Sequence, residues 1–242
     1  MTQNIYDDPA FFAGYSGLPR SIDGLAAAPE WPSLRSQLPA MAGLRVIDLG
    51  CGFGWFCRWA REAGAASVLG IDISERMLAR AAADTDDPAI TYAQGDLERL
   101  SLPDSSFDVA YSSLAFHYLE GLDVLLRETH AALVPGGRLV FSVEHPIYTA
   151  PAGPGWIANA AGGRSWPVDG YLHEGPRTTN WLAEGVVKQH RTIGTYVRLL
   201  QEAGFTVTWI EEWGPTPAQV AAHPEWAEET ERPAFLLMAA QR

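Results

Sequence analysis

Residues 46–54 read Val46-Ile47-Asp48-Leu49-Gly50-Cys51-Gly52-Phe53-Gly54, and this stretch decides the fold. Its first half is a short apolar run interrupted by one carboxylate, which indicates a buried strand, and its second half alternates glycine with other residues. Glycine has no Cβ and adopts positive φ, so such a loop turns tightly and lets a ligand approach the backbone. The stretch therefore predicts the first βα turn of an open α/β sheet.

The surrounding sequence alternates apolar β-rich runs with helical stretches, which is the pattern of βαβ units and a parallel sheet. The predicted strands are Leu44–Leu49, Ser67–Ile71, Ala89–Gln94, Phe107–Ser112, Arg138–Val143, Thr206–Glu211 and Ala234–Ala239. The predicted helices are Trp55–Glu62, a helix that follows the N-cap Ser74, Val124–Leu133 and Thr192–Ala203. These elements predict one α/β domain with helices on both faces of the sheet.

Two segments of this single domain, residues 1–242, lie outside the strand and helix alternation. Residues 1–43 precede the first strand and are predicted to form a helical cap. Residues 147–190 are rich in Gly, Pro and Trp without clear periodicity, which is typical of a lid or substrate-binding insertion. The aromatic residues of this insertion either shape an apolar pocket or hold the insertion together; they are Trp156, Trp166, Tyr171 and Trp181.

Composition excludes several classes of function. The net charge of −12, with 17 Lys and Arg against 29 Asp and Glu, gives no reason to expect nucleic acid or an anionic membrane as a partner. Cys51 and Cys57 are too few for a disulfide framework and have no nearby histidine that would suggest zinc, so no metal is expected. No signal peptide or apolar run long enough to span a membrane is visible, and a soluble cytoplasmic protein is expected.

The carboxylates that follow the strands indicate the ligand. Asp48 would repel a pyrophosphate, and the glycines are spaced G-x-G-x-G rather than G-x-G-x-x-G as in dinucleotide-binding proteins. Asp72, about 20 residues after the glycine turn, is placed to accept hydrogen bonds from ribose hydroxyls, which fits either class of cofactor. Asp96 is placed to accept from an adenine amino group while Leu97 and Met77 enclose the ring. The alternatives are a turn residue for Asp96 and ordinary core packing for Met77.

In their order, these landmarks resemble the class I methyltransferases that use S-adenosylmethionine, and within them the small-molecule group similar to methyltransferase type 11. The resemblance implies a Rossmann-like, mainly parallel sheet of seven strands whose last strand is antiparallel. No Asn/Asp-Pro-Pro-aromatic tetrad follows Phe107-Asp108, which argues against nucleobase amines as substrates. The landmarks are residues 46–54, Gly70-Ile71-Asp72-Ile73-Ser74, Gly95-Asp96-Leu97, Phe107-Asp108-Val109-Ala110 and Leu133-Val134-Pro135-Gly136-Gly137.

The resemblance also implies which residues bind the cofactor. It places Gly50 and Gly52 against the methionine moiety and Ser112 beside the sulfonium. Tyr15 and Arg20 precede the first strand and are expected to touch the methionine carboxylate. The full expected cofactor site is Tyr15, Arg20, Asp48, Gly50, Cys51, Gly52, Asp72, Ile73, Met77, Asp96, Leu97, Ser112 and His117.

A general base is optional, because the sulfonium of the cofactor carries most of the activation. His145 and His190 are the candidate catalytic bases, since imidazole titrates near neutrality, and Glu144 is a third. The alternative is that the histidines satisfy loop backbone groups or cap helices. Lys188 and Arg191 are candidates for clamping an acidic acceptor or are simply surface charges.

The sequence thus predicts methyl transfer from S-adenosylmethionine to a small molecule, with the accepting atom (O, N or C) and the oligomeric state left open. An NAD-dependent oxidoreductase is the first alternative, but it would require a third glycine one position later. A non-catalytic module that binds S-adenosylmethionine is the second, and a lined pocket beside the methyl group would argue against it.

Overall fold

The computed structural model of the chain describes residues 3–160 and 162–242. Residues 1, 2 and 161, which belong to the predicted cap and insertion, lie outside the described residues. The strands are β1 (Arg45–Leu49), β2 (Ser67–Asp72), β3 (Ile90–Gln94), β4 (Phe107–Ser113), β5 (Leu133–Glu144), β6 (Ile157–Ala158), β7 (Arg164–Ser165), β8 (Gly175–Trp181), β9 (Ala183–His190), β10 (Thr206–Trp213) and β11 (Phe235–Gln241). The α-helices are α1 (Pro9–Ser16), α2 (Pro19–Asp23), α3 (Trp31–Ser36), α4 (Trp55–Glu62), α5 (Glu75–Ala83), α6 (Leu122–Ala132), α7 (Pro146–Thr149), α8 (Ile193–Glu202) and α9 (Pro217–Ala222).

Seven of these strands form the central sheet, in the order β3-β2-β1-β4-β5-β11-β10. The pairs among β1 to β5 are parallel, whereas β11 is antiparallel to both of its neighbours, β5 and β10. The predicted seven-stranded sheet with an antiparallel last strand is therefore confirmed. The strand order reverses between β1 and β4, and open α/β sheets bind ligands at the carboxyl end of the strands beside such a switch point.

The apolar run of β1 explains why this strand lies at the centre of the sheet. Val46, Ile47 and Leu49 are each at most 1% exposed, because a parallel sheet covered on both faces buries consecutive residues rather than alternate ones. Val46 packs with α3 and α4 on one face, whereas Ile47 and Leu49 pack with α6 and α8 on the other. The predicted helices on both faces are confirmed.

Between residues 3 and 44 the chain forms the three short helices α1, α2 and α3, and α3 packs on one face of the sheet. Asp8 caps α1 by accepting hydrogen bonds from the backbone N–H groups of Ala10 and Phe11, both at 2.9 Å. Phe11 is fully buried, and its ring lies 4.8 Å from that of Tyr6 and 5.6 Å from that of Trp181. These aromatic contacts join the N-terminal segment to the insertion that follows β5.

The insertion is more regular than its sequence indicates. Residues 157–165 contain the short hairpin β6–β7, and residues 175–190 form the hairpin β8–β9. The expectation of no regular structure up to residue 190 is thus wrong for the second hairpin. The inward-facing residues of β9 are Val186, Lys188 and His190, all at most 4% exposed. Because two of these three buried residues are polar, the sequence lacks the alternation of apolar and polar residues that indicates a strand.

Within residues 3–160 and 162–242, no helix combines the length and hydrophobicity that crossing a bilayer requires.

Candidate active site

The glycine turn after β1 is held close to the end of β2. The backbone N–H groups of Gly50 and Cys51 both donate to the carbonyl oxygen of Ile71, at 2.8 and 2.9 Å. Gly50 has φ +83°, and a Cβ at this position would lie 2.5 Å from the Cβ of Ala115. Both the backbone conformation and the close approach of the next loop therefore require glycine here.

Asp72 at the end of β2 faces this turn. Its Oδ2 accepts a hydrogen bond from the backbone N–H of Gly52, and its Oδ1 accepts one from that of Ser74, both at 2.9 Å. Burial raises the pKa of Asp72, while these backbone donors act against that rise. The carboxylate is thus fixed in orientation between two loops, with acceptor capacity left for a ligand.

A cavity of about 440 Å³, partly open to solvent, begins at this turn and continues beneath the N-terminal helices. Its volume is within the range of small-molecule sites in proteins. The structure brings most of the predicted cofactor residues together along its wall; they are Tyr15, Arg20, Gly50, Cys51, Gly52, Asp72, Ile73, Met77, Asp96, Leu97 and His117.

Two predicted cofactor residues lie outside the cavity wall. Asp48 is 3% exposed and accepts a hydrogen bond from the thiol of Cys57 at 3.3 Å, and burial raises its pKa to about 7. The hydroxyl of Ser112 donates to the carbonyl oxygen of Leu49 at 2.6 Å, within the sheet. Both side chains join neighbouring elements rather than lining the cavity, whereas Ser113, the residue after Ser112 on β4, does line it.

The two candidate histidine bases are also outside the cavity wall. His145 accepts from the backbone N–H of Ile147 through Nδ1 and pairs with Glu212 through Nε2, both at 3.0 Å. His190 contacts the hydroxyl of Thr149 at 2.9 Å and the carbonyl oxygen of Tyr171 at 2.8 Å. Burial lowers the pKa of both imidazoles. All four ring nitrogens have protein partners, so this placement does not support a catalytic role for either histidine.

His117 is a third buried histidine, and it does line the cavity. Burial lowers its pKa well below the usual value, with a further contribution from the charges of Lys188 and Arg191. Its Nδ1 accepts the backbone N–H of Glu144 at 3.3 Å. The ring is therefore neutral with its proton on Nε2, and it acts as a wall and a hydrogen-bond donor rather than as a cation.

The candidate clamp for an acidic acceptor does not form. Lys188 pairs with Glu144 at 2.5 Å, and Nη2 of Arg191 donates to the carbonyl oxygens of Leu119 and Glu120 at 2.5 and 2.9 Å. Neither cation lines the cavity, whereas Glu144 does. Arg20 does line it, bound to the buried Glu30 at 2.7 Å.

Aromatic side chains form another part of the cavity wall, here called the aromatic end: Tyr6, Tyr118, Tyr148 and Trp181. The hydroxyls of Tyr6 and Tyr118 lie 3.3 Å apart, and Trp181 closes the cavity from the tip of the β8–β9 hairpin. Of the four aromatics singled out in the insertion, Trp181 alone contributes to the wall; Trp156 and Trp166 pack around Arg232, and Tyr171 packs on His190. Sequence reasoning missed the following lining residues, which no local motif marks: Tyr6, Tyr118, Tyr148, Glu229 and Phe235.

These residues fit S-adenosylmethionine. Asp72 offers carboxylate oxygens to ribose hydroxyls, and Met77 and Leu97, 1% and 7% exposed, form apolar walls for an adenine ring. The glycine turn lines the cavity through Gly50 and Gly52, and Arg20 lines it as well, which would suit a methionine moiety. The fold and this site together define a class I, Rossmann-like methyltransferase.

Comparison with known proteins agrees with this class. The family described as "Methyltransferase domain" matches residues 47–141. The crystal structure of an S-adenosylmethionine-dependent methyltransferase from Mesorhizobium loti superposes with a TM-score of 0.88 at 60% identity, covering 90% of this chain and 100% of that one. An uncharacterized protein of Haemophilus influenzae is 34% identical over 99% of this chain and 97% of its own length. The 27-O-demethylrifamycin SV methyltransferase of Amycolatopsis mediterranei is 34% identical, over 50% of this chain and 45% of that protein.

The chain belongs to the S-adenosylmethionine-dependent methyltransferases. It is an enzyme that transfers a methyl group from S-adenosylmethionine, and the cofactor and reaction predicted from the sequence are confirmed. The two alternatives, an NAD-dependent oxidoreductase and a non-catalytic binding module, are not retained.

Proposed function

We propose that the cavity holds S-adenosylmethionine at its glycine-turn end and a small-molecule acceptor at its aromatic end. The observation that carries this proposal is that one cavity is lined both by Asp72 and Asp96 and by Tyr148 and Trp181. A cofactor and a small acceptor placed in one cavity meet end to end, as an in-line displacement requires.

In this arrangement the chain contributes binding and orientation. Asp72 accepts the ribose hydroxyls, Met77 and Leu97 enclose the adenine, and Arg20 faces the methionine carboxylate. When bound, S-adenosylmethionine supplies an electrophilic methyl carbon on a positively charged sulfur. Asp72, Met77 and Arg20 would hold the cofactor so that this methyl carbon could pass to the acceptor atom, with sulfur keeping the electron pair of the carbon–sulfur bond.

The aromatic wall contributes by excluding water and restricting the acceptor. Trp181 lies 5.6 Å from Phe11 and 6.4 Å from Tyr15, ring centroid to ring centroid, so the insertion and the N-terminal helices close the same end of the cavity. Residues 147–190 then act as a substrate lid on a single domain of residues 1–242, with residues 1–43 as its cap. Excluding water strengthens the electrostatic interactions inside the site.

The test is transfer of a labelled methyl group from S-adenosylmethionine into cell extract separated into low-mass metabolites, proteins and nucleic acids. Label in the metabolite fraction is expected. Label confined to proteins or nucleic acids would refute the small-molecule assignment.

The division of the cavity into two ends is tested with Trp181→Ala and Trp226→Ala, the second changing a tryptophan outside the cavity wall. With the acceptor found in the screen, Trp181→Ala is expected to raise KM about tenfold, since a ring contact contributes roughly 1 kcal/mol or more. Its affinity for S-adenosylhomocysteine should stay within about threefold of the original protein. An unchanged KM together with lost cofactor affinity would place Trp181 at the cofactor instead.

A further inference from the structure

Two carboxylates line the cavity near its aromatic end, and each pairs with a cation that does not itself line the cavity. Glu144 pairs with Lys188 and Glu229 pairs with Arg232, and these two cations are only 4% and 6% exposed. Both glutamates belong to the cavity wall, whereas neither cation does. A ligand at this end therefore meets the negative member of each pair.

One carboxylate oxygen of Glu144 has no hydrogen-bond donor among the described residues. Its Oε1 accepts from Nζ of Lys188 at 2.5 Å, while its Oε2 is buried and has no hydrogen-bond partner among the described residues. A buried carboxylate oxygen without a donor is costly, and native proteins leave few such atoms unsatisfied. This atom needs a donor that the described part of the chain does not provide.

Glu229 and Tyr148 lie at the same end. Glu229 is held by Nη1 of Arg232 at 2.9 Å, and the guanidinium of Arg232 lies 4.6 Å from the ring centroid of Tyr148. The charges of Glu144 and Glu229 both contribute to raising the pKa of Tyr148, after burial as the main cause, so this ring is near both carboxylates. The phenol thus stays neutral between two acidic groups.

The other residues of the cavity wall also favour a positively charged ligand. Among the lining residues in the described part of the chain, Arg20 is the only lysine or arginine, and Glu30 already neutralises it. The ring of Trp181 already attracts one cation, Nζ of Lys188 at 5.1 Å from its centroid, and Tyr6 and Tyr118 are neutral aromatic residues.

We propose that the small-molecule acceptor carries an ammonium group and that the carboxylate of Glu144 accepts a hydrogen bond from it, with Glu229 as the second carboxylate at that end of the cavity. The inference rests on the proposed function, because it assigns the aromatic end of the cavity to the acceptor. A carboxylic or phosphorylated acceptor would have to place its charge beside two glutamates whose counter-ions lie outside the cavity.

The test measures binding of matched probes to the complex with S-adenosylhomocysteine, so that it depends on no turnover. The probes are phenethylamine, phenethyl alcohol and phenylacetate, with butylamine, butanol and butyrate as the aliphatic set, titrated by NMR at neutral pH. In each set the amine is expected to bind at least about tenfold more tightly than the alcohol, as for a hydrogen bond to a charged group, and the acid most weakly.

Glu144→Gln is expected to remove the preference for the amine. Because this change alone leaves Lys188 buried without its carboxylate, a second variant, Glu144→Gln with Lys188→Met, removes both charges and preserves the packing. In a folded variant the amine and the alcohol should bind within about threefold of each other, with the affinity for S-adenosylhomocysteine unchanged. Glu62→Gln, an exposed substitution on α4, is the matched control and should keep the preference.

Three outcomes would overturn the inference: amines that bind no better than alcohols, a preference that survives loss of Glu144, or a loss of S-adenosylhomocysteine affinity in place of amine affinity. In the last case Glu144 would serve the ammonium of the cofactor. Failure of the original protein to bind S-adenosylhomocysteine is a different result, and it would refute the proposed cofactor placement itself.

Discussion

Replacing Asp48 by Asn should remove a loss of folding stability that the original protein undergoes as the pH rises. Burial raises the pKa of Asp48 from 3.8 to about 7 in the folded protein, with Cys57 as its hydrogen-bond donor. Between these two values the folded protein keeps a proton on this carboxyl that the unfolded chain has lost. Stability contributed by Asp48 therefore falls as the pH rises from about 4 to about 7 and then stays level.

The magnitude follows from the two pKa values. A shift of this size corresponds to roughly 4 kcal/mol in total, of which about 2 to 3 kcal/mol is lost between pH 5 and pH 8. Asn has the same shape and does not titrate. The free energy of unfolding of Asp48→Asn, relative to that of the original protein, should therefore rise by about 2 to 3 kcal/mol over this interval.

Urea unfolding at pH 5 and at pH 8 measures this difference. The buried histidines His117, His145 and His190 titrate with the opposite sign, since burial lowers their pKa, but they are common to both proteins and cancel. Asp104→Asn, at an exposed position, is the control and should show no such change. An equal difference in unfolding free energy at both pH values for Asp48→Asn would refute the buried, proton-retaining carboxyl.

Three other substitutions test the site and its supports. Asp72→Asn should weaken the binding of S-adenosylhomocysteine about tenfold or more in isothermal titration, whereas the exposed Asp86→Asn should not; equal affinities would remove Asp72 from the cofactor site. Gly50→Ala, with φ +83° and a contact at 2.5 Å for the new Cβ, should lower the unfolding free energy by roughly 1–3 kcal/mol, while Gly121→Ala, in open space, should change it little in the same denaturation series. His190→Gln should retain turnover within about threefold, because both ring nitrogens already have protein partners; a hundredfold loss in kcat would restore it as a base.

Many of the cavity residues proposed to hold the cofactor could be predicted, because they lie on consecutive βα units. The carboxyl ends of parallel strands meet at one edge of a sheet, so Gly50, Asp72 and Asp96 come together once the strand order is known. Asp48 and Ser112 were placed correctly on their strands, but their side chains bind Cys57 and the carbonyl oxygen of Leu49 instead of lining the cavity, and a strand pattern does not record such partners.

The acceptor half could not be predicted in the same way. Tyr6, Tyr148, Trp181 and Glu229 come from four separate segments, and their meeting depends on how the N-terminal helices and the insertion pack over the sheet. The hairpin β8–β9 escaped prediction because it buries Lys188, a residue type that normally marks a solvent-exposed face.

By itself, the sequence determined the sheet, the glycine turn and the cofactor, because strand periodicity and backbone conformation are local properties that short motifs record. Only the tertiary structure decided which titratable groups face the cavity. In the folded protein His145 and His190 are buried hydrogen-bond partners, whereas Glu144 lines the cavity and its counter-ion Lys188 does not. The physical reason is that burial and pairing, which set the charge of a side chain, depend on neighbours distant in sequence.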